Sequence, residues 1–117
     1  MSRAEIDRLY DIMAAIDAAD RSVGGLTFDD FAKSETLFAA LCYFVMVISE
    51  ASRHISDERK AAYPDLPWRQ IADTSNLIRH VYFKIDAERL WNIYEQHLPR
   101  LRPVVVDMIA KIPPDQQ

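Results

Sequence analysis

The N-terminal part of the chain carries apolar residues at the spacing of an amphipathic helix. Between residues 4 and 23, an i, i+3, i+4 stripe is formed by Ile6, Leu9, Ile12, Met13 and Ile16. The segment VGGL (23–26) predicts the end of this helix, because glycine readily supplies the left-handed residue beyond a helix C-terminus. Thr27, with Asp30 three residues later, matches a carboxylate variant of the capping box and predicts a short helical turn.

The middle of the chain is apolar on every face. Ser34 can cap a helix that runs to about Arg53, and the segment LFAALCYFVMVI (37–48) within it is apolar throughout. This pattern is typical of a central helix that is covered on all sides. A domain of this size has difficulty covering every face, so the helix also suggests a subunit interface. Its apolar run is too short to cross a bilayer, and no membrane partner is predicted.

The C-terminal half predicts a loop followed by two more helices. The segment SDERKAAYPDLPW (56–68) predicts a polar loop with two prolines, after which a third long helix runs towards His80. Asp86 can cap a last helix, which Pro99 and Pro103 should kink or interrupt because proline cannot complete the helical hydrogen bonds.

The length and composition of the chain indicate a single globular domain. The chain is long enough for one core, so the patterns predict an all-α, antiparallel bundle of four or five helices in a single domain over residues 1–117, with 112–117 as a frayed tail. The single Cys42 cannot form an intramolecular disulfide, and the N-terminus lacks an apolar signal core, which together predict a cytoplasmic location. A net charge of -4 argues against a general nucleic-acid coat but leaves room for a small basic cleft.

The segment HVYFKI holds the clearest candidate chemistry. His80, Tyr82 and Lys84 alternate with apolar residues, so an extended segment would place these polar side chains on one side. A helix would instead point His80 and Tyr82 about 200° apart. If the chain leaves the helix near His80, the imidazole, phenol and ammonium converge. The other two histidines need no functional role. His54 stands at a helix end, where a contact with the helix dipole explains it, and no residue near His97 suggests a catalytic role.

Sequence motifs for metals and cofactors are absent. No Cys/His spacing resembles a zinc site, and no phosphate-binding or hydrolase motif occurs. The carboxylates of Asp29, Asp30 and Glu58 are interpreted as solvated or capping groups. Neither a metal nor a cofactor is therefore predicted.

The order of segments along the chain resembles a known family. RLYDIMAAIDAADRSVGGLTFDDF, VISEASRHI and YPDLPWRQIADTSNLIRHVYFKIDAERLWNIYEQHLPRL follow one another as in the HepT-like family, part of the HEPN superfamily of helical bundles. The likeness spans about residues 5–110 and is most specific in PWRQIA and HVYFKID…LW. It implies a homodimer with a cleft at the two-fold axis. Many members are metal-independent endoribonuclease toxins encoded beside a minimal nucleotidyltransferase (MNT-like) antitoxin.

The resemblance also implies roles for individual residues. His80 and Tyr82 match the family's His-x-Tyr motif, and Asn76 matches the polar residue before it. The histidine would act on the 2′-hydroxyl of RNA, an arginine would steady the phosphate, and the tyrosine would be the position that the antitoxin modifies with AMP. Glu50 matches a glutamate that lines the cleft. RNA is thus the expected substrate, and DNA is not expected as a partner.

The chain departs from the family pattern at the motif arginine. Its place is held by Thr74 or Ser75, and a guanidinium stands instead at Arg79, directly before the histidine. Adjacent residues on a helix point about 100° apart, so Arg79 cannot simply occupy the missing group's space. Arg79 could reach the cleft if the helix ends there, or it could serve His80 of the second subunit across the two-fold axis.

A second family arginine, on the long apolar helix, is also replaced. Tyr43 and Phe44 stand near its place.

Three functions are compatible with the candidate residues. The first is a ribonuclease toxin with His80 as acid/base and Arg79 as phosphate clamp. The second is a catalytically degenerate, homodimeric binding module. The third is a helical domain in which His80 and Tyr82 only hydrogen-bond a loop.

Overall fold

Helices dominate the computed structural model, which describes residues 4–81 and 86–117, with side chains described at 4–78 and 86–117. In chain order they are α1 (Glu5–Val23), α2 (Phe28–Ala32), α3 (Glu35–Ser52), α4 (Asp57–Ala61), α5 (Trp68–Val81), α6 (Ala87–Asn92), a π-helical turn (Ile93–His97), α7 (Leu98–Lys111) and a 3-10 turn (Pro114–Gln116). No strand occurs in the described ranges, and the predicted all-α class is confirmed.

Three helices, α2, α3 and α6, begin where their side-chain caps predict. The Thr27 hydroxyl accepts the N–H of Asp30 at 3.1 Å, and the Asp30 carboxylate accepts the N–H of Thr27 at 3.3 Å, which completes the capping box. Ser34 and Asp86 each accept a backbone N–H three residues on, at 3.1 and 2.7 Å. Gly25 has a φ of 83°, so the left-handed position expected after α1 is present.

The central helix of the bundle is α3. It packs against both α1 and α5, and α7 packs against α1. The deepest core side chains are Leu9, Phe31, Leu41, Ile78, Leu90 and Val105. Glu5, at the start of α1, accepts the N–H of Ser56 just beyond the end of α3. The start of one helix therefore lies beside the end of the other, and α1 and α3 run antiparallel.

One face of α3 stays uncovered in the single chain. Val45 and Ile48 are 3% exposed, whereas Tyr43 is 60% exposed. A single chain therefore does not cover every face of α3, as expected for a domain of this size, and the subunit interface stays a prediction. Among the described residues, α3 is also the one helix that could cross a membrane by length and composition, with a mean hydropathy of 1.4. Its central packing against α1 and α5 accounts for that composition.

The predicted polar loop at 56–68 contains a helix that its pattern did not indicate. Helix α4 has five residues and buries none of them, so the sequence has no apolar periodicity that would indicate a helix there. It begins because the Ser56 hydroxyl accepts the N–H of Arg59 at 3.2 Å. The Arg59 guanidinium then donates to the Glu5 carboxylate, with Nε and Oε2 2.6 Å apart, which ties α4 to the start of α1.

The two prolines of the last helix act differently. A π-helical turn precedes Pro99, because proline lacks an N–H and its ring collides with the carbonyl four residues earlier. The prediction of an interruption is confirmed there. Pro103 lies inside α7, which continues to Lys111. Beyond α7, where a frayed tail is predicted, the Gln117 side chain donates to the carbonyl of Ile112 at 3.1 Å.

Candidate functional site

Helix α5 carries the residues that the sequence singles out. Its backbone continues to Val81, so positions 79–81 are helical. Positions 80 and 81 are therefore helical, and an extended path that would bring His80 and Tyr82 to one side does not begin within the described residues. The side chains of Arg79 and His80, and the whole of Tyr82 and Lys84, lie outside the described residues. Their roles remain predictions.

Position 75 is the best-defined part of this site. Ser75 is completely buried where α5 packs against α3. Its N–H donates to the Ser49 hydroxyl at 2.8 Å, and that hydroxyl donates to the carbonyls of Ile71 and Ala72 at 2.6 and 3.0 Å. We call Ser49, Ser52 and Ser75 the serine seam, because all three are buried hydroxyl residues between α3 and α5, with Ser52 donating to the Ser49 carbonyl at 2.6 Å.

The serine seam leaves no room for a guanidinium at position 75, one of the two positions that the resemblance gives for the motif arginine. An arginine at 75 would have to place a guanidinium between two closely packed helices, where a buried charge without a partner is strongly unfavourable. Thr74 is half-buried and its hydroxyl donates to the Gln70 carbonyl one turn earlier, at 2.8 Å. Neither residue is a functional substitute for a guanidinium.

Arg53 is a cation at α5 that sequence reasoning missed. Its Nε donates to the Ala72 carbonyl at 3.0 Å, so a side chain from the end of α3 reaches across to α5 one turn before position 75. The same Nε lies 4.0 Å from the carboxylate of Glu50, the predicted cleft residue. The i, i+3 spacing of Glu50 and Arg53 was the available signal. Asn76 is exposed on α5, as a contact residue requires.

Aromatic side chains lie near the place that the resemblance gives for the second family arginine. The rings of Tyr43 and Phe44 form an edge-to-face pair with centroids 5.7 Å apart. Tyr43 is largely exposed, so this part of α3 presents an aromatic surface where a cation is expected in the family. The neighbouring Cys42 is buried, and burial raises the pKa of its thiol to about 11, which keeps it protonated at neutral pH.

His97 has a setting that the sequence did not reveal. It lies at the end of the π-helical turn and lines a groove of about 530 Å³ between α5 and the segment from α6 to α7. We call this cavity the α5–α7 groove. His54, by contrast, is an exposed residue just after α3. Within residues 4–81 and 86–117, no group of three or more His, Cys, Asp or Glu side chains could hold a metal ion.

The fold defines a small helical bundle whose fifth helix carries Asn76 and His80. The family described as Ribonuclease HepT-like matches residues 12–108, and the chain belongs to that HepT-like family. It is 30% identical over 102 residues to "Probable ribonuclease HepT" of Thermococcus cleftensis, covering 87% of this chain and 93% of the relative. It is 26% identical over 106 residues to "Putative RNase MJ1380" of Methanocaldococcus jannaschii, covering 90% and 97%. No solved structure matches the chain significantly.

Proposed function

We propose that this protein is a metal-independent endoribonuclease that works as a homodimer in the cytoplasm. The family match over residues 12–108 carries this proposal, and the ribonuclease names of its relatives support it. His80 takes the proton of a ribose 2′-hydroxyl, the 2′-oxygen attacks the adjacent phosphorus, and the bond from phosphorus to the 5′-oxygen breaks. The 5′-oxygen leaves with the proton that the His80 imidazolium returns through water. The products are a 2′,3′-cyclic phosphate and a free 5′-hydroxyl.

Arg79 is the proposed phosphate clamp of this reaction. A guanidinium stabilises the charge that builds on the phosphoryl oxygens in the transition state. Because position 75 is buried in the serine seam, this charge has to come from another place in the dimer. In our proposal, Arg79 acts in its own subunit's cleft or on His80 of the second subunit, while Asn76 and Glu50 line the same cleft.

The homodimer is proposed from the uncovered face of α3. Tyr43 is 60% exposed and stacks edge-on against Phe44, on a helix whose mean hydropathy is 1.4. Exposed aromatic residues on an otherwise apolar helix are typical of a protein interface. Pairing of this face with its copy would cover the part of α3 that α1 and α5 leave open.

The experiment that tests the ribonuclease is cleavage of a single-stranded RNA in the presence of EDTA. We expect His80→Ala to lower the rate on the order of 10²- to 10⁴-fold, because it removes general acid–base catalysis. His54→Ala is the matched control, since His54 is an exposed histidine at the end of α3, and it should cut at the wild-type rate. Equal cleavage by both variants would exclude His80 as the acid/base.

Control by a partner is the second part of the proposal. An MNT-like nucleotidyltransferase would neutralise the enzyme by transferring AMP from ATP to the Tyr82 hydroxyl, with release of pyrophosphate. The added phosphate and nucleoside would stand two residues from His80 and block RNA by charge and volume. The two proteins would form a toxin–antitoxin pair.

Intact-mass measurement after coexpression with an MNT-like enzyme tests this control. The mass should rise by one or more AMP units, and Tyr82→Phe should remove the increase. Tyr10→Phe is the matched control, because Tyr10 is a tyrosine with 52% exposure on α1 and should still allow the shift. A shift that survives Tyr82→Phe would place the modification elsewhere.

A second candidate function is a catalytically inactive binding module. The burial of Ser75 favours it, because one of the two positions given for the motif arginine, Thr74 or Ser75, is part of the helix packing. Such a module would form a stable complex with its partner while wild-type protein leaves RNA intact in the cleavage experiment. Intact RNA with wild-type protein, together with complex formation, would therefore favour this candidate over the enzyme.

A further inference from the structure

The α5–α7 groove has an apolar floor large enough for a nucleobase. Its volume is about 530 Å³, within the usual range of small-ligand sites. The floor is formed by apolar side chains from α3, α5, the π-helical turn and α7: Val45, Ile48, Ile71, Leu77, Ile93 and Leu101. A flat, weakly polar group can be covered by such a surface.

The rim of the groove is polar and predominantly basic. Arg89, Asn92 and Arg100 stand on the wall made by α6, the π-helical turn and α7, together with His97. On the α5 wall the single carboxylate is that of Asp73. Two permanently charged guanidinium groups thus face one carboxylate, in a chain whose net charge is -4. The groove is therefore a local concentration of positive charge suited to phosphate.

The π-helical turn determines which side chains face the groove. A π-helical turn contains about one residue more than an α-helical turn, so the residues after it are rotated by about 100° relative to a continuous α-helix. His97 and Leu101 line the groove, whereas Gln96 does not. The π-helical turn before Pro99 thus ends at a histidine that lines the same groove as the two arginines.

We propose that the α5–α7 groove binds one nucleotide of single-stranded RNA, which rests on the ribonuclease proposal for the identity of the nucleic acid. The base lies on the apolar floor, Arg89 and Arg100 hold phosphates on either side, and Asn92 and Asp73 bond the base edge or the ribose hydroxyl. The arginines are eleven residues apart, about 16 Å along the helices, which is more than the separation of successive phosphates, so both guanidinium groups have to extend towards the nucleotide between them. Position 80 follows Asp73 by two turns of α5, roughly 10 Å, so the strand continues towards His80.

Binding of a fluorescent single-stranded RNA of about ten nucleotides tests the proposal, with 2′-O-methyl groups to prevent cleavage. The Arg89→Ala, Arg100→Ala double variant should bind about ten-fold or more weakly, because two charged hydrogen-bond donors are lost. The slope of log affinity against log salt should fall by about 1.4, since each phosphate contact on single strands contributes about 0.7. Both arginines are exposed, so the variant should fold.

The matched control is the Arg21→Ala, Arg102→Ala double variant. It removes the same charge from exposed arginines, one at the end of α1 and one on α7, and neither lines the groove. It should bind RNA within about two-fold of wild type. Equal weakening by the two double variants would mean general attraction only and would overturn the groove site. An altered oligomeric state of the groove variant with unchanged RNA binding would assign the groove to a second copy, which also overturns it.

Cleavage of unmodified RNA separates this inference from the proposed enzyme. If the groove variant loses binding while wild type cuts no RNA, the groove is an RNA site and the ribonuclease proposal fails. If His80→Ala abolishes cleavage while the groove variant binds and cuts like wild type, the ribonuclease stands and the groove proposal fails. An Arg89→Lys, Arg100→Lys variant should keep the wild-type salt slope, because the charges remain.

Discussion

The face of α5 that packs against α3 carries the buried Ser75, whereas the face that lines the groove carries the half-buried Thr74 and the exposed Asp73. These neighbouring residues meet different surroundings. Ser75 exchanges hydrogen bonds with uncharged groups at short range and has no contact with solvent. Thr74 and Asp73 border a groove that a ligand can enter. One face of the helix thus stabilises the bundle, and the other is available for binding.

This difference suggests how a position of the HepT-like motif can hold a small residue while the helical bundle is kept. Position 75, one of the two positions that the resemblance gives for the motif arginine, is where the backbone of α5 bonds the Ser49 hydroxyl of α3. Small residues allow that approach, and a guanidinium would prevent it. We expect the charge for RNA from Arg79, whose role stays a prediction, and from Arg89 and Arg100 of the groove, which lie on α6 and α7 and not on α3 or α5.

An arginine at position 75 should give the largest effect on the seam. Ser75→Arg places a charge and a long side chain in a fully buried position, and we expect the free energy of unfolding to fall by about 3–5 kcal/mol. Thr74→Arg is the matched control on the groove face and should change it by less than about 0.5 kcal/mol. Urea unfolding measures both. A Ser75→Arg variant as stable as wild type would mean that the seam can open.

Removing one seam hydroxyl should give a smaller loss. Ser49→Ala leaves the N–H of Ser75 without its side-chain acceptor in a buried setting, so the free energy of unfolding should fall by about 1–3 kcal/mol. Thr74→Ala removes a hydroxyl that bonds only within α5, at the Gln70 carbonyl, and should cost less than about 0.5 kcal/mol. Equal losses for the two variants would remove the distinction between the faces.

The sequence predicted the parts of the molecule that depend on neighbouring residues. The caps at Thr27, Ser34 and Asp86 are confirmed, because each needs only a backbone N–H three residues away. The burial of Ser75 could not be predicted, because it depends on how closely two helices distant in sequence approach. Within the site, the sequence singled out His80 and Asn76 through resemblance, and it missed Arg53 for the same reason that it missed the seam.

The sequence did not predict the α5–α7 groove, because one of its walls depends on the π-helical turn. A continuous α-helix from Asp86 would place His97 on a different face, and only the π-helical turn brings it beside Asn92. The sequence indicated that Pro99 would disturb the helix but not which kind of turn would result. From the residue pattern alone, His97 was therefore interpreted as a histidine with no role in a site.

The smallest expected effect is on the pH dependence of the free energy of unfolding. It distinguishes the uncharged seam from the charged contact between α1 and α4. Burial alone raises the pKa of Glu5, but hydrogen bonds from Arg59 and the Ser56 N–H outweigh it, so the pKa of Glu5 lies below its ordinary value. A carboxylate with a lowered folded-state pKa contributes stability above its unfolded-state pKa and loses it as the pH falls through the folded-state pKa.

Unfolding measured from neutral pH down to about pH 3 should therefore show a contribution from Glu5 that fades in acid. Because the pair is partly exposed, Glu5→Gln should cost no more than about 1 kcal/mol at neutral pH, and the difference from wild type should shrink below about pH 4. Ser49→Ala should differ from wild type by the same amount at every pH, since its seam contacts are hydroxyl and backbone groups that do not titrate. A pH-dependent loss in Ser49→Ala would show that a titrating group acts on the seam.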